Sequence, residues 1–569
     1  MASASTTTAP GLSLSHLLDR PTWNLPQWHG PHADTDELNG VVDKLGDLDL
    51  SLALLQRYRN ALRPIHRLAP DILLLIFDGI AEEEDGPLHP SYGSAPWVYL
   101  AHVCHRWREI ALTCAALWTR LSTKYPEAAL ACLERSGDAP LSLIVSASAT
   151  SAAATQVINA ALPHVARLRH IYLPSIWMDD PDLREPLESI LRDPAPALEA
   201  LHVYKVGMDS DCFPLPVMFK GETPRLTTLR LAYAYPGLGS LTYTNLKRLF
   251  LKGKKRKPIA MEVSRLLEIL AACPALEEFR TYKATFTSSS DTESLPPLHL
   301  DNLRVLDIAR CSASVVADLF RRLAVPDCAT RFHVWLERAA DFTFRFGLPD
   351  NLEETGHLPG ITRLHIEYTS ANDVVAIHGT TRTSPFQIIA AIPQDSDMGE
   401  MPTVAGHLLL SIVRTLDLSV LEEFTISETY YHRAHLGFTR RRWIEVFERM
   451  PLLKELHIRI DSINDAGFSR AILAALGTPG EVTGRLLCPS LEVLTMTNDK
   501  TWSTLQCYLL GQLRAQHGHP IKRLSMRLPC YENFEDIEET DLPGLRQIIE
   551  TVDLDPPPVM KVQFPELSW

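Results

Sequence analysis

The residues of this 569-residue chain best equipped for chemistry crowd into one short run, His102, Cys104 and His105, where a thiol and two imidazoles could hold a zinc ion. Cys104, however, falls on an apolar stripe with Leu100, Val103, Trp107 and Ile110, so packing rather than ligation is expected, and no metal or other cofactor is expected. The sequence shows no GxSxG, no HExxH and no glycine-rich loop between a strand and a helix. "PGLGS" at Pro236 to Ser240 is a lone GxG, and the acidic "YENFEDIEETD" near the C-terminus reads as an exposed loop or cap edge rather than a cation site. "KGKKRKP" gathers Lys252, Lys254, Lys255, Arg256 and Lys257, leaving three readings open: a nuclear-import signal, a phosphate contact, or a solvated loop between repeats. A net charge of −14 and a pI near 5.8 oppose general affinity for nucleic acid or anionic membrane.

The elements that would position such residues can be read from spacing. Residues 1–36, rich in Ser, Thr, Pro and His, are expected to be a disordered tail. Over 37–63, Leu45, Leu48, Leu52, Leu55 and Tyr58 recur at three- and four-residue steps, predicting an amphipathic helix that Pro64 stops. Pro70 and Asp71 suit a helix start, and Ile72, Leu73, Ile76, Phe77 and Ile80 give that helix a broad apolar face. A second helix is expected after Pro96, beyond the polar loop "EEEDGPLHPSYGSAP". The longest aliphatic run, Ile72 to Phe77, is too short to span a bilayer. The first twenty residues lack the pattern of a secretory signal, and the ten cysteines contain no CxxC pair. Reduced thiols and a cytoplasmic and/or nuclear location are therefore expected.

"HRLAPDILLLIF", followed by "VCHRWREIAL" and a closing "LW", resembles an F-box in the extended form common among proteins of mushroom-forming fungi, and "LERSGDAPLSLIV" resembles the segment that follows it there. Leu68 and Pro70 match the family's opening turn, Ile72, Leu73, Ile76 and Phe77 its first helix, Val103, Cys104, Arg106 and Trp107 its central element, and Leu117 and Trp118 its closing pair. Ala69 stands where the family usually has a proline, and the acidic insert after Ile80 is longer than in the minimal motif. The resemblance implies that residues 64–122 bind a Skp-family adaptor and, through it, a cullin. The adaptor contacts would be Leu68, Pro70, Ile72, Leu73, Ile76, Phe77, Val103, Cys104, Trp107, Ile110, Leu117 and Trp118.

Over 123–569 a motif of aliphatic, two others, aliphatic or Phe, one other, aliphatic recurs, from Leu168-Ile171-Leu173 through Leu198-Leu201-Val203 to Ile521-Leu524-Met526. Successive starts at 168, 198, 226, 246, 276 and 303 lie 30, 28, 20, 30 and 27 residues apart, and two later gaps of 58 and 60 are near double that. Pro196, Pro224, Pro274, Pro359, Pro451 and Pro489 each precede a motif by two residues, and helical stretches such as "MEVSRLLEILAAC" run into them. Helix, proline stop and short strand at such a period predict an irregular leucine-rich-repeat solenoid; with the helical F-box that the resemblance implies before it, the expected fold class is α/β.

In that layout the residue between the last two aliphatics of each strand faces the concave surface. The client-binding set would be Tyr172, His202, Arg230, Phe250, Arg280, Asp307, His365 and His457, joined by Thr425, Thr495 and Ser525. The expected function is a non-catalytic substrate receptor of a Skp-cullin-F-box ubiquitin ligase, holding an unknown protein client. An F-box scaffold without a degradative role is the alternative, and client half-life separates the two. An enzyme with a site hidden between residues 309 and 420 is the third reading.

Overall fold

The computed structural model describes residues 35–83, 97–174, 181–204, 213–237, 242–253, 261–284, 286–287, 296–324, 331–336, 360–369, 374–382, 385–391, 409–410, 412–414, 416–429, 439–460, 468–478, 486–497, 504–527 and 542–553. The expected tail, most of the linker after Ile80, Lys254–Pro258, Pro359 and the C-terminal acidic run lie outside them. The chain divides into two compact units, the first holding the described residues up to Tyr243 and the second those from Thr244 on, with Phe213 and Tyr233–Tyr235 assigned to the second.

The first unit opens with helix α1 (Thr35–Ala61), which starts near the expected position and ends three residues before Pro64. Helices α2 (Pro70–Glu83), α3 (Trp97–Leu100) and α4 (His105–Thr113) follow, with Pro70 in the first turn of α2 and Asp71 at its positive end. Next come β1 (Arg120–Ser122), α5 (Pro126–Arg135), β2 (Leu141–Ile144), α6 (Ser151–Ala161), β3 (Leu168–Pro174), α7 (Pro181–Arg192), β4 (Ala200–Tyr204) and β5 (Thr228–Ala232). The strands pair in parallel in chain order, β1 to β2 to β3 to β4 to β5, with Leu143, Ile171, Leu201 and Leu229 in one register row. Helices α5, α6 and α7 pack in sequence on one another. The ladder thus begins at Arg120, within the segment 64–122 that the resemblance assigns to adaptor binding.

The second unit repeats this plan. It contains β6 (Arg248–Lys252), α8 (Val263–Ala271), β7 (Glu278–Tyr282), β8 (Val305–Cys311), α9 (Ala313–Phe320), β9 (Arg331–Leu336), β10 (Ile361–Thr369), β11 (Val374–Thr381) and β12 (Pro385–Ala391). After them come β13 (Glu423–Thr429), α10 (Arg440–Glu448), β14 (Glu455–Ile460), α11 (Phe468–Leu476), β15 (Val493–Thr497), α12 (Thr504–Gln516), β16 (Arg523–Arg527) and β17 (Thr551–Asp553). Each repeat motif read from the sequence lies on one of these strands, or on β3 to β5 of the first unit, and buries its aliphatics; Leu364, Phe424, Leu456, Leu494 and Leu524 occupy one continuous row. Burial of so many aliphatics on one face, each contributing about 1.5–3 kcal/mol, fixes the register.

The doubled spacings have two different causes. The first hides a missed strand, β9, whose motif lacks a leading aliphatic. The second holds no repeat: β11 pairs antiparallel with both β10 and β12, and β12, not β10, pairs parallel with β9. The spatial order is therefore β9, β12, β11, β10, β13, a meander set into an otherwise parallel ladder. Within it Gly379 stands opposite the buried Phe386, whose ring would lie 2.1 Å from a Cβ at that position. Gly379→Ala is expected to destabilise the chain by about 1–3 kcal/mol through overpacking, read as a lower denaturation midpoint; an unchanged midpoint would contradict this packing.

Candidate functional site

Two surfaces of the expected kind can be built from the described residues. In the first, Phe77 of α2 and Trp107 of α4 pack with ring centroids 5.1 Å apart, forming the centre of a small helical core with Leu73, Leu100, Ala111, Leu117 and Trp118. Cys104 serves as the N-cap of α4: its Sγ accepts from the Trp107 backbone N–H at 3.5 Å and lies 3.6 Å from Nε2 of His66. The Arg106 guanidinium donates to the carbonyls of His66 and Leu68, tying α4 to the turn before α2. Trp118 Nε1 donates to the Ala111 carbonyl at 2.8 Å, and Arg135 lies 4.4 Å over its ring.

The expected adaptor contacts therefore split. Leu73, Phe77, Trp107, Leu117 and Trp118 are buried in this core and are not presented at the surface. Leu68, Cys104 and Ile110 are half-buried, and Pro70 is exposed. Ile72, Ile76 and Val103 are 42%, 38% and 56% exposed, and beside them the apolar set includes Leu75 at 68% and Tyr99 at 72%. Sequence reading missed Leu75 because the helical stripe was broad enough to wrap around α2, and Tyr99 because the one helix expected after Pro96 is broken into α3 and α4 by the extended Cys104.

The second surface is the set of positions between the aliphatics. In the first unit Tyr172, His202 and Arg230 share one register row, with the Tyr172 and His202 rings 4.6 Å apart. Burial, and then the positive Arg230, pulls the His202 pKa down to about 3. In the second unit the row runs Phe250, Arg280, Asp307, His333, Gln387, His378, His365, Thr425, His457, Thr495 and Ser525. His333 and His378 were not anticipated: the first lies on the missed strand and the second on the antiparallel one, although simple alternation flanks both.

These positions are less open than expected. Asp307 and His202 are buried, and Tyr172, Arg230, Phe250, Arg280, His365 and His457 are half-buried. Strands about 4.8 Å apart bring long neighbours in a row into mutual contact, and each covers the next. Asp307 illustrates this: its Oδ1 lies 2.7 Å from His333 Nδ1 and its Oδ2 3.9 Å from Arg331, making it an internal ion-pair centre and not an open contact. His365 Nε2 lies 2.7 Å from Ser427 Oγ, within the reach of a base and a hydroxyl nucleophile. Burial and the neighbouring His378 bring its pKa to about 4, however, which makes it a weak base at neutral pH, and among the described residues no carboxylate lies within ion-pair distance of it.

His170, His202, His365, His378 and His457 all have pKa values lowered chiefly by burial, below an ordinary value of 6.5. Folding is thus favoured above pH 6.5, where the unfolded chain's imidazoles are also neutral, and loses that support as pH falls from 6.5 through about 4, the His365 value. The melting temperature is expected to drop between pH 7 and pH 5, and to drop less in His365→Gln and His202→Gln; equal pH slopes in variants and wild type would refute this assignment.

No family model and no curated protein matches the chain. Among solved structures, an internalin (InlF) from Listeria monocytogenes is similar at 12% identity and a TM-score of 0.22, over 68% of this chain and 81% of that one. The Rad7 and Elc1 complex in yeast gives 10% identity and a TM-score of 0.20, over 88% of this chain and 96% of the matched one.

Proposed function

We propose that the chain is a non-catalytic substrate receptor: helices α2 to α4 dock a Skp-family adaptor and, through it, a cullin, while the strand–helix repeats hold a protein client for ubiquitin transfer. The observation that carries the reading is the accessible apolar set Ile72, Leu75, Ile76, Tyr99 and Val103, carried by segments that pack around Phe77 and Trp107. Large aliphatics exposed together favour coverage by another molecule, because each fully buried one contributes about 1.5–3 kcal/mol. The F-box resemblance, carried by Ile72, Ile76 and Val103 of this set, selects the adaptor as the covering molecule. The receptor's physical contribution is proximity, raising the client's effective concentration near the conjugating enzyme.

The division between core and surface separates docking from folding in a test. Ile76→Asp and Val103→Asp alter exposed side chains and should remove adaptor co-purification while leaving the melting temperature nearly unchanged. Trp107→Ala should instead cost about 3–5 kcal/mol by emptying the space against Phe77, and disorder the helical core. Co-purification of the Ile76→Asp, Val103→Asp double variant with the adaptor at wild-type yield would overturn the reading. Client half-life measured with and without the chain separates a degradative receptor from a scaffold.

A further inference from the structure

We infer that the C-terminal ends of strands β6 to β9 form a binding site for an acidic peptide segment; this deepens the receptor reading by giving the client a chemistry. The register row Lys252, Tyr282, Ala309, Trp335 crosses these four strands. Three cations surround the Tyr282 ring: Lys252 Nζ at 5.6 Å from its centroid, Lys283 Nζ at 5.1 Å and Arg310 Cζ at 5.8 Å, with Arg310 also 4.6 Å over Trp335. Lys252 is exposed, and Tyr282, Lys283, Arg310 and Trp335 are half-buried, so the group is open to solvent.

What marks this group is that, among the described residues, no carboxylate pairs with its cations. At or beside the N-terminal ends of the strands in the same unit, cations are matched across neighbouring repeats: Lys247 with Glu277 at 2.8 Å, Arg363 with Glu423 at 2.6 Å, Lys454 with Glu422 at 2.8 Å and Lys522 with Glu492 at 2.7 Å. Lys252, Lys283 and Arg310 have no carboxylate partner among the described residues, and Arg310 Nε is buried without a hydrogen bond. In a chain of net charge −14, three like charges gathered on one ring repel one another, and an incoming carboxylate relieves that repulsion.

Lys283 and Arg310 adopt left-handed conformations, with φ of 52° and 56°, each just beyond or within a strand end, and Arg310 occupies a bulge between Ala309 and Cys311. At Lys283 the backbone N–H donates to the Ala309 carbonyl of the next strand at 2.8 Å, and both cations lie against Tyr282. Four strands at about 4.8 Å spacing make a platform about 14 Å wide, the span of about four extended residues, enough for alternate carboxylates to meet separate cations. A long polyanion such as nucleic acid would meet the acidic remainder of the chain within a few Debye lengths of about 8 Å, which favours a short acidic peptide segment.

The test uses the full chain and a short labelled peptide alternating glutamate and serine, followed by fluorescence anisotropy. Binding that weakens with added salt, and at least about tenfold weaker binding in the Lys252→Gln, Lys283→Gly, Arg310→Gly variant, is expected. Glycine suits both left-handed positions, so an unchanged or higher melting temperature verifies that the variant is folded. Failure of the peptide to bind, equal affinity for the variant, or preference for a single-stranded oligonucleotide over the peptide would overturn the inference. Ile76→Asp should bind the peptide like wild type. Peptide binding without adaptor capture by the wild-type chain counts against the receptor reading alone, and capture without peptide binding counts against this inference alone.

Discussion

The parallel backbone ladder is the constraint on which the other features depend. Once Leu456 lies beside Phe424 and Leu494, a shift of one residue would turn every aliphatic of that strand outward, so the register is held along the length of each ladder. The same lock sets the intervening polar residues side by side at strand spacing. Their mutual contact explains why Asp307 is sealed by His333 and why several histidines are held neutral by burial. The ladder also separates two rows of charge, a matched one near the N-terminal ends of the strands and an unmatched one around Tyr282.

Much of this arrangement was legible in the sequence, where the determining signal was local. Each motif with a leading aliphatic, such as Leu491-Leu494-Met496, became a strand with at least one parallel neighbour, because the pattern that defines it is also what drives its burial. The proline stops that lie among the described residues were readable for the same reason, since proline ends a helix locally. What escaped was non-local. β9 lacks the first aliphatic, and β11 and β12 follow simple alternation without the repeat template; their placement beside β9 and β10 depends on which strand edges remain free. No window of the sequence carries that information.

The N-terminal helices show a finer limit. Composition marked Ile72, Leu73, Ile76, Phe77, Val103 and Trp107 as one apolar group, but a helix with apolar residues over most of its circumference does not declare which edge faces inward. Packing assigns Phe77 and Trp107 to the interior and leaves Ile72, Leu75, Ile76 and Val103 outside. Cys104 caps α4, a position that follows from its extended backbone, with φ −163° and ψ 168°, and not from its place in the stripe.

The order β9, β12, β11, β10, β13 has a consequence for biosynthesis. As the chain leaves the ribosome, β9 emerges well before β12, the strand that will cover its far side, so the edge it offers beyond β8 stays bare until Pro385–Ala391 has been made. Strand-by-strand growth of the ladder in chain order therefore cannot continue past β9 until β12 exists, and a bare strand edge is a border to which other chains can add.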